Sequence, residues 1–208
     1  MARLKKLDYS FYNRDDVVQI AKELLGKVLV TRFEGERTSG RIVETEAYAG
    51  AIDRASHAYG HRRTARTEVM YQKAGTAYVY LCYGIHHLFN VVTNKRDIPH
   101  AVLIRALEPL EGIDVMLRRT GKTKLDHTLT RGPGNVSKAL GLYTSHTGTS
   151  LLKNEIFIGD DGFELASDSI QSTVRIGVDY AGEDAKLLYR FIVRGNKYLS
   201  GHRVMVER

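Results

Sequence analysis

Two β-prone stretches, residues 77–83 and 86–93, abut the short segment Tyr83-Gly84-Ile85. A glycine between two such runs reads as a hairpin tip, which fixes the direction of both strands. Further strands are expected at 27–33, 41–48 and 101–107, with strand-like segments at 155–158, 173–178 and 188–193. The stretch 35–40, which begins and ends on glycine, reads as a turn between the first two. Helices fall between these strands. Residues 13–25 carry Val17, Ile20, Ala21, Leu24 and Leu25 at helical spacing, and Gly26 supplies a stop. A second helix is expected with Pro109 near its first turn, Leu110, Ile113, Met116 and Leu117 on one face, and Gly121 at its end. Gly132-Pro133-Gly134-Asn135 opens a third, shorter one with Val136, Ala139 and Leu140. Strands cluster and connections are mixed, which favours an α+β fold over a regular βαβ alternation. With 208 residues and no repeat or linker-like tract, one domain spanning 1–208 is expected.

Charge narrows the partner. Thirty-one Lys and Arg against 24 Asp and Glu leave a formal +7, which favours a polyanion because neutralised phosphates release counterions. No apolar stretch approaches the ~20 residues of a membrane span, so no membrane partner is expected. The start, Met1-Ala2-Arg3-Leu4-Lys5-Lys6, is basic but lacks the apolar region of a secretory leader, and the cytoplasm is the expected compartment (at the nucleoid in a bacterium). Cys82 stands alone, without a disulfide or metal-binding mate.

Several residues invite a chemical reading. On the strand 41–48, Glu44, Glu46 and Tyr48 share a face at roughly 7 Å per step of two. Two carboxylates there are costly unless they meet water, a cation or a task; a solvated strand face is the bland alternative. Tyr78 and Tyr80 share a face of the next strand, where core packing is the ordinary explanation. Tyr83 at the hairpin tip is harder to place in a core and suits stacking on bases or insertion between them. The basic loop His61-Arg62-Arg63-Thr64-Ala65-Arg66 is either a solvated turn or a phosphate grip, together with the helix start at Gly132. His57, His86 and His87 match no zinc spacing, so neither metal nor cofactor is expected. No nucleophile elbow, Walker loop or dinucleotide fingerprint is present.

The ordered set of motifs resembles the 3-methyladenine (alkyladenine, methylpurine) DNA glycosylase family. The matching pieces are Gly40-Arg41-Ile42-Val43-Glu44-Thr45-Glu46-Ala47-Tyr48, Ala55-Ser56-His57, Lys73-Ala74-Gly75-Thr76-Ala77-Tyr78-Val79-Tyr80, Tyr83-Gly84, Asn90 and Leu103-Ile104-Arg105-Ala106-Leu107-Glu108-Pro109. Gly132-Pro133, Arg175-Ile176-Gly177, Ala181-Gly182-Glu183 and Arg190-Phe191-Ile192-Val193-Arg194-Gly195 continue the match, which runs from about Leu25 to Ser200. Residues 121–130 match poorly and carry no assignment. Asn135 stands where a lysine can occur, and His86-His87 where some relatives carry aromatic or apolar residues.

The resemblance implies a single mixed α/β domain: a curved antiparallel sheet, flanking helices and a protruding β-hairpin. It implies a monofunctional enzyme of base excision repair, acting as a monomer on duplex DNA that contains damaged purines. Alkylated or deaminated purines (3-methyladenine, 7-methylguanine, hypoxanthine, ethenoadenine) would be flipped out and hydrolysed off, leaving an abasic site. Glu46 falls on the catalytic glutamate that activates water. Arg105 and the backbone carbonyl of Ile176 fall on that water's other supports. Tyr48, His57 and Tyr80 fall on the slot that clasps the flipped base, and Asn90 on a residue that screens purine edges. Tyr83 falls on the side chain that fills the gap in the duplex; Arg62, Thr64, Gly132 and Asn135 lie where relatives touch the DNA backbone. Glu44 receives no catalytic role. These parts suit the chemistry, since a base must leave the stack before its glycosidic bond can be reached. An alkylated, cationic purine departs without a general acid, and neither Lys73 nor Lys95 matches a nucleophilic position. A lesion-binding protein without catalysis and an RNA-binding module are the competing readings.

Overall fold

A computed structural model describes residues 4–201; Met1–Arg3 of the basic N-terminal stretch lie outside the described residues. The chain opens with a two-residue strand β1 (Lys5–Lys6), a single helical turn α1 (Tyr9–Tyr12) and helix α2 (Val17–Glu23). Asp16 starts α2 by accepting the Gln19 N–H at 2.8 Å, so the expected helix over 13–25 is shorter. Next come β2 (Val28–Phe33), β3 (Glu36–Tyr48), β4 (Thr76–Cys82), β5 (His86–Thr93) and β6 (His100–Glu111). Helices α3 (Ile113–Thr120) and α4 (Pro133–Leu140) follow, then β7 (Ile156–Asp160), β8 (Ile170–Thr173) and β9 (Arg190–Val193).

All the strand pairs are antiparallel and belong to one curled sheet in the order β1-β7-β2-β3-β6-β5-β4. Strand β3 organises it. One edge pairs with β6; the other pairs with β2 and then, farther along, with β9, which carries β8. The architecture is thus the expected α+β class with a curved antiparallel sheet and a projecting hairpin.

Alternation sorts the residues of each strand onto two faces. Ile42, Ala47, Val102, Ile104, Phe89, Val91, Ala77 and Val79 point into the main core. There they meet Ile20, Ala21 and Leu24 of α2, Met116 of α3, and Val136, Ala139 and Leu140 of α4. Thr45 confirms the direction, since its hydroxyl donates to the Ala21 carbonyl at 2.8 Å. The opposite face carries Glu46, Leu103, Asn90 and Tyr78, which are register partners in turn across β3, β6, β5 and β4. Two bulges lie beside this row. Val43 on β3 and Arg105 on β6 each lack a counterpart on the facing strand.

Three expectations are corrected. Pro109 and Leu110 lie inside β6, not in a helix; α3 begins only at Ile113, although Gly121 does end it. Strand β5 pairs with β6 only over His100–Leu103, so a residue without an N–H is tolerated beyond, beside the register shift at Gly40. The turn expected at 35–40 shrinks, because β3 already starts at Glu36 and Thr38 pairs with Thr31, their hydroxyls 2.7 Å apart. The strand expected at 173–178 ends at Thr173, and the loop beyond it turns into the site.

Candidate active site

The polar face of the sheet closes one side of a cavity of about 630 Å³. Tyr48, His57, Tyr80, Asn90, Arg105 and Ile176 all line it, so segments far apart in sequence converge there. Glu46 lies beneath them and is fully buried. Its Oε1 accepts the Ile176 N–H at 2.8 Å, and its Oε2 accepts the Tyr48 hydroxyl at 2.7 Å. Arg105 Nη1 stands 3.3 Å from Oε2. Ile176 touches Glu46 through its amide, on a loop that leaves strand geometry after Thr173; its carbonyl is the group expected to support the water. Burial, together with the Glu46 charge, pushes the Tyr48 phenol well above its ordinary pKa, which keeps it a proton donor. Burial opposes charge on Arg105, but Glu46 and Glu44 outweigh it and raise its pKa.

The aromatic wall is built by β4 and the segment before it. His57 meets Tyr80 edge-on with ring centres 4.6 Å apart, and Tyr78 lies 5.3 Å from Tyr80. His57 Nδ1 is 2.8 Å from the Tyr78 hydroxyl, and its Nε2 is 3.2 Å from Arg66 Nη2. A guanidinium only donates, so Nε2 is the acceptor and the proton sits on Nδ1. Burial, then the charges of Arg66 and Arg62, lower the His57 pKa to about 4, leaving the ring neutral near pH 7. Asn90 gives its amide protons to the carbonyls of Tyr78 and Leu88, and among the described residues nothing donates to its Oδ1.

The hairpin tip overhangs the cavity. Tyr83 (φ 51°) and Gly84 (φ 72°) both adopt left-handed backbone, and the Ile85 N–H donates to the Cys82 carbonyl at 3.1 Å. This is the type I′ pattern; glycine suits it and tyrosine does not. Tyr83 is nonetheless 90% exposed, between exposed Leu81 and Ile85. Across the cavity, Gly132 caps the start of α4, and Asn135 donates its side-chain amide to the carbonyls of Thr128 and Arg131. Arg62 and Thr64 do not line the cavity; they stand exposed in the preceding loop. Neighbouring Arg63 is tied to Glu68 and Asp97.

The family described as methylpurine-DNA glycosylase matches residues 10–197. The chain belongs to that family. Three relatives carry the name "Putative 3-methyladenine DNA glycosylase". That of Chlamydia abortus is 52% identical over 188 residues, covering 90% of this chain and 97% of the relative. That of Clostridium perfringens is 44% identical over 203 residues (94% and 98%), and that of Clostridium acetobutylicum 46% over 202 (94% and 97%). The chain is accordingly a DNA glycosylase, a hydrolase of N-glycosyl bonds whose substrate is DNA.

Around its cavity this methylpurine-DNA glycosylase has supports that local sequence reasoning missed. Arg175 is buried and forms a two-pronged pair with Asp53 (2.5 and 2.9 Å). It also donates to the Ala47 carbonyl and lies 4.9 Å from the centre of the Tyr48 ring. Arg66 lies 4.8 Å from that of Tyr80. Arg190 and Ser200 reach Glu44 from 146 and 156 residues away. No local spacing signals such contacts, although Arg175 and Arg190 both sit inside family motifs.

Proposed function

We propose that this enzyme excises alkylated and deaminated purines from duplex DNA by simple hydrolysis, with Glu46 as the base that activates water. The substrate set is 3-methyladenine, 7-methylguanine, hypoxanthine and ethenoadenine. The observation that carries the reading is a carboxylate buried directly behind an aromatic-walled cavity, held by an arginine, a tyrosine hydroxyl and a backbone amide from three residues that line it. Among the described residues Glu46 Oε1 takes one donor, the Ile176 N–H, so a lone pair is left for a water. As the C1′–N9 bond breaks, its electron pair leaves with the purine and positive charge grows on the sugar. The anionic floor stabilises that charge, water oxygen bonds to C1′, and the water proton passes to Glu46. An N3- or N7-alkylated purine carries its own positive charge and leaves as a neutral base; hypoxanthine and ethenoadenine leave as anions and take up a proton from water.

The flipped purine lies between Tyr48, His57 and Tyr80, with Asn90 Oδ1 against its edge. Stacking tolerates different purines and is worth roughly 1–3 kcal/mol per base, which suits a range of lesions. Neutral His57 adds no charge that would repel a cationic base. Tyr83 enters the gap in the duplex. Arg62, Thr64, Gly132 and Asn135 hold phosphates; because the Asn135 side chain is committed to carbonyls, its share is the main-chain N–H in the first turn of α4. One domain, acting as a monomer, suffices for all of these roles.

The test is Glu46→Gln on a hypoxanthine- or 3-methyladenine-containing duplex. Binding should stay within about threefold while single-turnover excision falls by about 10²–10⁴-fold, the range for a general base. Excision at the normal rate would refute the role given to Glu46.

A further inference from the structure

Glu44 takes no part in the hydrolytic step, yet it is fully buried and takes more donors than Glu46. Its Oε1 accepts Arg105 Nε at 3.0 Å, Arg190 Nε at 2.7 Å and the Ser200 hydroxyl at 2.8 Å. Its Oε2 accepts the Ser200 N–H at 2.6 Å. A buried carboxylate with this many charge-assisted bonds is fixed in place, and it fixes what it binds.

What it binds is the far side of the Glu46 site. The Arg105 guanidinium is held by Nε on Glu44 and by Nε and Nη2 on the Ser200 hydroxyl (3.3 and 3.1 Å). Nη1 is the nitrogen left to face Glu46. Arg190 completes the frame, donating through Nη2 to the Ser200 carbonyl at 2.7 Å. Two carboxylates and two guanidiniums balance in charge, so neither arginine is left unpaired in the interior. The same C-terminal segment reaches the other support of Glu46. Gly201 lies against the Ile176 side chain, with a φ of +90° that favours glycine.

We propose that Glu44, with Ser200, is a positioning residue for the reaction: it orients Arg105 so that Nη1 meets Glu46, which makes Ser200 part of the frame of the active site. This rests on the role given above to Glu46. Misplacing a supporting group by about 1 Å can cost on the order of 10²-fold in rate.

The experiment is a double-mutant cycle on the full-length chain, reading single-turnover excision and lesion-duplex affinity separately. Glu44→Gln should lower the excision rate on the order of 10²-fold and leave affinity within about threefold. In an Arg105→Gln background the same change should cost less than about twofold, because the group it orients is gone. A purely structural Glu44 would lower affinity and melting temperature and multiply its loss with that of Arg105→Gln; that outcome, or an unchanged rate, overturns the proposal. Should Glu44→Gln not fold, Ser200→Ala removes the hydroxyl shared by Glu44 and Arg105, and it should slow excision several-fold only where Arg105 is present. Glu46→Gln is run alongside: an active Glu46→Gln refutes the water-activation reading, whereas an inactive one beside a full-speed Glu44→Gln refutes this inference alone.

Discussion

The floor of the cavity and the tip of the hairpin that overhangs it are built on opposite terms. At the floor, Glu44, Glu46 and Arg105 are buried, and each carboxylate oxygen has a donor. At the tip, Tyr83 is 90% exposed on a left-handed backbone that suits glycine, beside two more exposed apolar side chains. The floor must keep a few atoms in fixed relation in a place where an unpaired charge is costly, so paired charges lock it. In the proposed reading the tip leaves water for the interior of a base stack, a role that its unpacked, uncommitted state suits. Stability therefore resides in the first region, and readiness to bind in the second.

The largest effect that would test this contrast comes from the buried pair beside the floor. Asp53→Ala leaves the Arg175 charge stranded, and breaking such a pair costs about 3–5 kcal/mol. A clear drop in melting temperature is expected, and an unchanged one would mean the floor is not where stability lies. At the tip, Tyr83→Asn should do the reverse, since asparagine accepts positive φ more readily than tyrosine. Folding stability should move by no more than about 0.5 kcal/mol. Capture of the extruded lesion, followed by 2-aminopurine fluorescence beside the lesion, should weaken by roughly 1–3 kcal/mol. Equal losses in the two variants would erase the contrast.

The smallest effect concerns the wall between these regions. His57 takes up a proton near pH 4 when folded and near its ordinary 6.5 when unfolded. Between those values the unfolded chain binds more protons, so the contribution of His57 is complete above about pH 6.5 and is lost as pH falls toward 4. His57→Asn should therefore show a shallower decline of melting temperature across that window; parallel curves for the two proteins would count against a neutral, buried ring.

Local pattern carried the reading of the tip further than that of the floor. The hairpin, the α4 start at Gly132-Pro133 and the shared face of Glu46 and Tyr48 all follow from short-range alternation and turn chemistry, and all stand in the fold. The partners of Glu44 do not, because Arg190 and Ser200 arrive through a sheet edge and a C-terminal segment that no periodicity links to residue 44. The segment after Thr173 misled for a related reason. Its β-prone residues suggest a strand, but the Ile176 N–H bonds to a carboxylate in place of a ladder partner. Pro109 misled because its preference for a helix start is overridden by the pairing of β6 with β3.

The row Glu46, Leu103, Asn90 and Tyr78 works like a parity check on the gene. Each member occupies the cavity side because an even number of steps separates it from its own strand's other cavity-facing residues, and the unpaired Val43 and Arg105 absorb the two odd counts. Many substitutions along these strands would leave that parity intact. A single-codon deletion between Glu46 and Tyr48, or between Tyr78 and Tyr80, would not: it would turn one member of the row toward the helices while leaving composition almost unchanged. Over evolutionary time the site should thus drift by exchange of residues, while insertions and deletions gather in the loops that join the strands.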